Sequence, residues 1–356
     1  MALVHVHQIK PGDRLIQDVM TARNHQLMLK GTMLTAREIE ILQAFLIQKV
    51  HIEGETEGSA EGNASTDSAA VQAGSLLSLY EEYDKLLVLM KQVFSLAGSG
   101  GELPVLNIRN HLEAVLSHIG EYNLLFFRPP KYHARDYLYH QSIRTAMSSY
   151  QLAKWCGLQQ KDLIPVALGG LMHDIGNTRI DPEILHKTAR LTANEVQEIR
   201  EHTKLGYSIL KNVAGFNEGT KLVALQHHER EDGSGYPLGL KGDNIHLYTK
   251  IVAVADIYHA MSTTRVYRQA ISPYLVLEEL LQYSFGKLDP KIVRTFIDKV
   301  TQFHTGTIVK LSDDRIGEIV FSQREHPTRP WVNVNGTIVN LTIERGLHIQ
   351  EIIQNG

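Results

Sequence analysis

The chain has 356 residues, 43% of them hydrophobic and 21% charged, with a formal net charge of −3. That length allows two or three globular domains, and the near-neutral balance excludes the basic excess of a protein that coats a nucleic-acid polymer or an anionic membrane. A single cysteine, Cys156, excludes a disulfide framework and a multi-thiolate zinc site.

The opening residues, MALVHVHQIKPGDR, have no basic segment leading into an apolar one, so no secretory signal is expected. The longest apolar stretch, LIPVALGGLM at 163–172, is well short of the ~20 residues a membrane span needs, and a cytoplasmic location is expected.

In chain order, residues 1–53 predict a small α+β unit. VHVHQI alternates, KPGD is a turn, and QLMLKGTML suggests a hairpin strand pair around Lys30-Gly31. Thr35 and Glu38 have capping-box spacing for a helix through Phe45, and KVHIE is a closing strand. Residues 54–75 hold one large aliphatic residue, Val71, and are expected to be a flexible linker. From Leu76 the apolar residues recur every three or four positions, ending at GSGGELP; a second helix carries Ile108, Leu112, Val115 and Ile119 on one stripe. The 76–130 pair is expected to be a helical connector, which would allow a homodimer, or else core helices of the next domain. Arg128-Pro129-Pro130 marks a boundary. Residues 131–305 are helix-dominated, and 306–356 hold short β-branched strands with a hairpin signal at Asn335-Gly336.

Eighteen histidines are many for this length, and several stand in apolar helical sequence. His140 lies in YLYHQSIRTA. His173-Asp174 ends LIPVALGGLMHD, with Gly176 suited to the position just past a helix end. His202 follows a helix opened by Thr192 and Glu195, and His227-His228 end KLVALQHH. Asp256 sits inside IVAVADI, where a carboxylate is costly to bury unless paired or metal-bound. Singly, His140 or His202 is more often a surface or satisfied residue. Together, five histidines and two aspartates fit a metal site converged upon by several helices. Seven ligand groups exceed the needs of one ion that also binds substrate, so two ions bridged by a carboxylate are the natural solution. Imidazole and carboxylate without thiolate suit iron, manganese, zinc or similar metals. Two ions about 3.5–4 Å apart can ionise a bridging water and clamp a phosphoryl group, which points to phosphate-ester hydrolysis.

HDIG at 173–176, HHEREDGSGYP at 227–237 and VADIYHAMSTTRVYR at 254–268 resemble the HD-GYP phosphodiesterases, of the HD superfamily of metal-dependent phosphohydrolases. The resemblance covers roughly 131–305. It implies a mainly α fold, with the helical hydrolase domain flanked by the small N-terminal α+β unit and a small C-terminal β-unit. It implies hydrolysis of cyclic di-GMP to the linear dinucleotide or GMP by a bridging hydroxide, lowering the messenger and favouring motility over biofilm. Carried over by residue, it implies His140, His173, Asp174 and Asp256 around one ion, and His202, His227 and His228 around a second bridged by Asp174. His173 and Asp174 are the catalytic pair, and iron or manganese the expected metals. Asp136, at i−4 from His140, is the candidate ligand of a third ion. Gly235, Tyr236 and Pro237 would form the pocket lip and a docking point for diguanylate cyclase (GGDEF) domains, while Arg265 and Arg268 would grip phosphate. The family motif usually continues with lysine where Asn177 stands, so Asn177 would offer the substrate a neutral donor only. A metal-loaded receptor with little turnover and a hydrolase of another cyclic dinucleotide are the alternatives.

Overall fold

The computed structural model describes residues 2–20, 26–35, 38–39, 41–42, 45, 47, 49–53, 67–125, 127–129, 132–263, 271–301 and 305–354. The chain divides into two compact units: Ser65–Ile271 with Val276–Val300, and Met1–Ala64 with Ser272–Leu275 and Thr301–Gly356. Among the described residues, no helix is long and apolar enough to cross a membrane.

The first unit is helical. Its helices include α1 (Asp67–Ser99), α2 (Val105–Ser117), α3 (Tyr137–Trp155), α4 (Gln160–Met172), α5 (Ala193–Arg200), α6 (His202–Leu210), α7 (Glu218–Gln226) and α8 (Leu247–Ser262). Helix α1 starts at Asp67, within the expected linker; SAAVQA is composed largely of good helix formers. Its Leu79, Tyr83, Leu86, Met90 and Val93, spaced by three and four, are all buried. They join Ile108, Leu112 and Val115 of α2 in one apolar cluster with residues of α3, α4, α7 and α8. The helix pair left open as connector or core therefore contributes to the core. Ile119 lies past the end of α2, in the 3-10 turn Ile119–Glu121.

Helix α4 is the hub of this packing. Leu163 and the run from Val166 to Met172 are buried, as its uniformly apolar sequence requires. Two glycines set its neighbours' approach. A Cβ on Gly170 would come within 3.0 Å of Ala146 Cα on α3, and one on Gly169 within 2.8 Å of Val223 Cγ2 on α7. Gly176 does not take the left-handed helix-end conformation expected of it. It lies in a 3-10 turn, Ile175–Arg179, and is glycine for want of space: a Cβ there would stand 1.9 Å from His202 O and 2.5 Å from Gly206 N.

The second unit is built from both chain ends. Strand β1 (Ala2–His5) pairs antiparallel with β4 (Lys49–Ile52), and β2 (Val19–Met20) with β3 (Gln26–Met28). The expected hairpin around Lys30-Gly31 does not form. The turn exists, with Thr32 N–H donating to Leu29 O, but Gln26–Met28 pairs back with Val19–Met20 and Met33 bridges Arg14. Thr35 N–H donates to Glu38 Oε2 at 2.9 Å, the expected helix start; part of that helix lies outside the described residues. A five-stranded sheet of order β8-β7-β6-β5-β9 comprises β5 (Ile308–Leu311), β6 (Ile316–Gln323), β7 (His326–Val334), β8 (Thr337–Asn340) and β9 (Ile349–Gln354). Asn335 and Gly336, at φ 49 and 88, form the β7–β8 hairpin turn as expected. Strand β9 went unanticipated; it pairs with β5. Leu15, Leu27, Leu34 and Val50 share one apolar cluster with Ile308 and Ile316, which joins the two ends.

Because the atoms facing Gly176 are backbone, they cannot swing aside. Gly176→Ala should destabilise the protein by about 3 kcal/mol. Gly120→Ala, where a Cβ meets nothing within 4 Å, is the control and should change stability by less than about 0.5 kcal/mol in the same urea titration.

Candidate metal centre

Three helix ends and one helix interior converge in the helical unit. His173 caps α4 and Asp174 follows it; His202 opens α6; His227 caps α7, with His228 next; Asp256 projects from the middle of α8. Three rings are held alike. His173 Nδ1 lies 2.8 Å from Gly170 O, His202 Nδ1 2.7 Å from Ile199 O, and His227 Nδ1 3.1 Å from Val223 O. A carbonyl oxygen only accepts, so each Nδ1 carries the hydrogen, and in the neutral ring Nε2 presents a lone pair.

Those lone pairs face one another. His202 Nε2 and His227 Nε2 are 3.1 Å apart, roughly the separation of two nitrogens that share one ion at adjacent corners with bonds of about 2.1 Å. His202, His227 and His228 place ligand atoms within 4.8 Å of one another, as do His173, Asp174 and His227. Asp174 stands between the two groups. Its Oδ1 is 3.4 Å from His202 Nε2 and 3.6 Å from His227 Nε2, while Oδ2 is 3.4 Å from His173 Nε2. Asp256 Oδ1 reaches the other side of His173 Nε2 at 3.3 Å. These donors fit divalent ions: imidazole nitrogens and carboxylates, convergent and mostly buried, with no thiolate among them.

The electrostatics agree. Burial pushes His228 well below the ordinary imidazole range and His202 below it, which favours the neutral, ligating form. Burial alone would raise Asp174 and Asp256, but His173 overrides it and both carboxyls are held well below their usual range. Burial likewise opposes charge on His173, yet Asp174 and Asp256 hold it well above the usual value.

His140 and Asp136, on and just before α3, stand outside the two groups of mutually close ligand atoms. His140 is buried on α3, but its Nδ1 is 2.9 Å from Tyr83 OH and its ring packs against Tyr83 and Tyr132. Its Nε2 is buried without a partner among the described residues and so remains available as a ligand atom, and burial pushes its pKa down to about 4, which favours the neutral ring. Asp136 precedes α3 and its Oδ2 is 2.6 Å from Lys91 Nζ. Neither residue lines the site cavity, so the third-ion ligand expected at Asp136 is engaged elsewhere. The α3 residues that do line it are Tyr137, Leu138 and Gln141.

The cavity beside the centre has a volume of about 830 Å³, with Asp174, Asn177, His202, His228, Tyr236 and Asp256 among its lining residues. Asn177 is buried in its wall, its N–H donating to Asp174 O at 3.0 Å. Tyr236 stacks on His228 at 4.6 Å between ring centroids, and the Arg200 guanidinium lies 4.9 Å over the tyrosine ring. Gly235 permits this placement, because a Cβ would come 2.4 Å from Glu229 Cα. Pro237 follows the tyrosine and is half-buried. Sequence reasoning missed Glu229. Its buried carboxylate accepts Leu238 N–H at 2.7 Å and Leu240 N–H at 2.9 Å, tying the loop to the histidine pair. An acidic residue directly after His-His was the available signal. Arg265 and Arg268 lie outside the described residues.

Residues 122–292 match the family model described as HD domain. The match begins before Arg128-Pro129-Pro130, and Tyr122, its first residue, is buried with its OH 3.0 Å from Ser148 Oγ of α3. The cyclic di-GMP phosphodiesterase PA4108 of Pseudomonas aeruginosa is 30% identical over 199 residues, 56% of this chain and 48% of that protein. The cyclic di-GMP phosphodiesterase PdeB of Borreliella burgdorferi is 28% identical over 218 residues, 60% of this chain and 57% of that protein. The 3'3'-cGAMP-specific phosphodiesterase 2 of Vibrio cholerae is 31% identical over 161 residues, 45% of this chain and 31% of that protein. The chain spans about half the length of the first two of these curated relatives.

Because Asp174 and Asp256 hold His173 above the usual imidazole range, an ion that binds its Nε2 should displace a proton. Binding should release protons near neutral pH, and affinity should fall as the pH is lowered. Calorimetric titration with Mn²⁺ in two buffers of different ionisation enthalpy measures this; equal heats in both would contradict it.

Proposed function

Because residues 122–292 are an HD domain whose relatives are cyclic dinucleotide phosphodiesterases, we propose that this chain is an HD-GYP phosphodiesterase that hydrolyses cyclic di-GMP in the cytoplasm, giving the linear dinucleotide or GMP. The observation that carries the reading is Asp174 set between two ligand groups on the wall of a cavity of about 830 Å³. That volume is within the ~300–1,000 Å³ typical of small-molecule sites.

Divalent ions, iron or manganese by the donor set, supply Lewis acidity toward a phosphodiester and a nucleophile at neutral pH when bound. The chain's own residues do the rest. His202, His227 and His228 would hold an ion on one side of Asp174, and His173 and Asp256 on the other. Tyr236, stacked on His228 with the Arg200 guanidinium over its ring, would offer its hydroxyl to the ligand. The Asn177 amide, in the cavity wall, would donate a neutral hydrogen bond to phosphate, and Arg265 and Arg268 are the proposed cationic grips. Leu238, exposed beside the Gly-Tyr-Pro loop, supports that loop as a surface for a GGDEF domain.

Hydrolysis of another cyclic dinucleotide is the second reading, supported by the 31% identity to a 3'3'-cGAMP-specific phosphodiesterase. Incubation of the Mn²⁺-loaded full chain with each dinucleotide, with products separated by chromatography, tests both. Cyclic di-GMP should be consumed faster; faster loss of 3'3'-cGAMP would favour the second reading, and tight binding without product the receptor. Replacing a neutral donor with a charged one is worth ~1–2 kcal/mol. Asn177→Lys should therefore raise kcat/KM roughly ten-fold with ion content unchanged.

A further inference from the structure

Three of the ligand rings are oriented by their own helices. The carbonyls that accept from His173, His202 and His227 belong to Gly170, Ile199 and Val223, each within the last four residues of α4, α5 or α7, where main-chain acceptors run short of helical N–H donors. His140 has no such acceptor. It lies in the first turn of α3, where the preceding carbonyls already accept helical N–H groups. Its Nδ1 is instead 2.9 Å from the hydroxyl of Tyr83 on α1, and the two rings stack at 5.8 Å between centroids with 15° between planes. Tyr83 is fully buried and its ring packs on Phe127. His140 Nε2 is buried with no hydrogen-bond partner among the described residues.

We propose that Tyr83 is a positioning residue of the metal centre: its hydroxyl accepts the Nδ1–H of His140, which fixes the tautomer and ring plane that leave Nε2 free to bind a divalent ion. This rests on the metal-centre reading, with His140 as a ligand within it. A neutral ring that gives Nε2 to a metal carries its one hydrogen on Nδ1, and in a dry interior that hydrogen needs an acceptor. Without the Tyr83 hydroxyl, a ligating His140 would bury an unpaired N–H, a cost set directly against ion binding. Helix α1 lies before the family match at 122–292. It reaches the surround of the site twice more. Lys91 Nζ is 2.6 Å from Asp136 Oδ2 just before α3, and Ala97 O accepts Arg179 Nε–H at 3.1 Å on the turn that carries Asn177. One ligand of the centre is therefore held from outside the matched domain, and a shift of α1 is transmitted to the ion that His140 serves.

The test uses the full chain, stripped of metal and titrated with Mn²⁺, with the free ion followed by electron paramagnetic resonance. Tyr83→Phe keeps the ring and its packing and removes only the hydroxyl. It should weaken Mn²⁺ binding at one site by roughly 10- to 100-fold while the protein stays folded in the same urea titration. His140→Phe, which keeps a ring beside Tyr83, should weaken the same site at least as much. The double variant should bind Mn²⁺ as His140→Phe does, because the hydroxyl acts only through the imidazole; a merely structural role would give losses that add. Tyr122→Phe, which removes another buried hydroxyl, bonded to Ser148 Oγ at 3.0 Å, should leave binding unchanged. Unchanged binding in Tyr83→Phe beside weakened binding in His140→Phe would overturn the role of Tyr83, as would additive losses in the double variant. Unchanged binding in His140→Phe would overturn His140 as a ligand, and the proposal with it.

Discussion

The placement of the Asp174 carboxylate governs this molecule. One oxygen faces His202 and His227 and the other faces His173, so a single side chain spans both ligand groups. That position depends on a backbone contact. Gly176, two residues on, lets the start of α6 close against the turn that follows α4, and a single methyl would collide with His202 O. The glycines of α4 do the same for α3 and α7. Close helix packing, available only to residues without a Cβ, is therefore what brings the ligands into range.

Convergence carries an electrostatic cost that the ligands themselves resolve. Several buried imidazoles and two buried carboxylates would be unfavourable as separate charges. Burial keeps His202 and His228 toward their neutral forms, and the carboxylates offset the charge on His173. The Nδ1–H bonds to backbone carbonyls then orient three rings, leaving the opposite nitrogens to converge. The site is prepared for cations before any ion arrives, and the proton on His173 is their competitor.

The substrate side is assembled by a different device. The loop after His227-His228 is anchored by Glu229, whose carboxylate accepts two loop amides and keeps Tyr236 against His228. Metal ligand and aromatic wall thus share one short segment, so a displacement of either is felt by both. Asn177 reaches the same cavity from the turn after Asp174.

Local spacing made much of this legible. Apolar periodicity located α1 and α2, the capping box at Thr192 and Glu195 located α5, and Asn335-Gly336 located the β7–β8 turn. The His173-Asp174, His227-His228 and Asp256 motifs marked residues that the fold does bring together. These succeeded because each depends on neighbours within one or two helical turns. Three matters were decided only by tertiary structure. Gln26–Met28 pairs with Val19–Met20, since strand pairing answers to the partner available and not to the turn beside it. Gly176 serves helix contact, which no local φ preference announces. His140 was marked by its chemistry, but that Tyr83 takes its Nδ1 and leaves its Nε2 buried and unpartnered, next to a Gln141 that donates to Asp256, is set by how α3 packs. Sequence determines which side chains a helix carries; which partners they meet is set by how the helix packs.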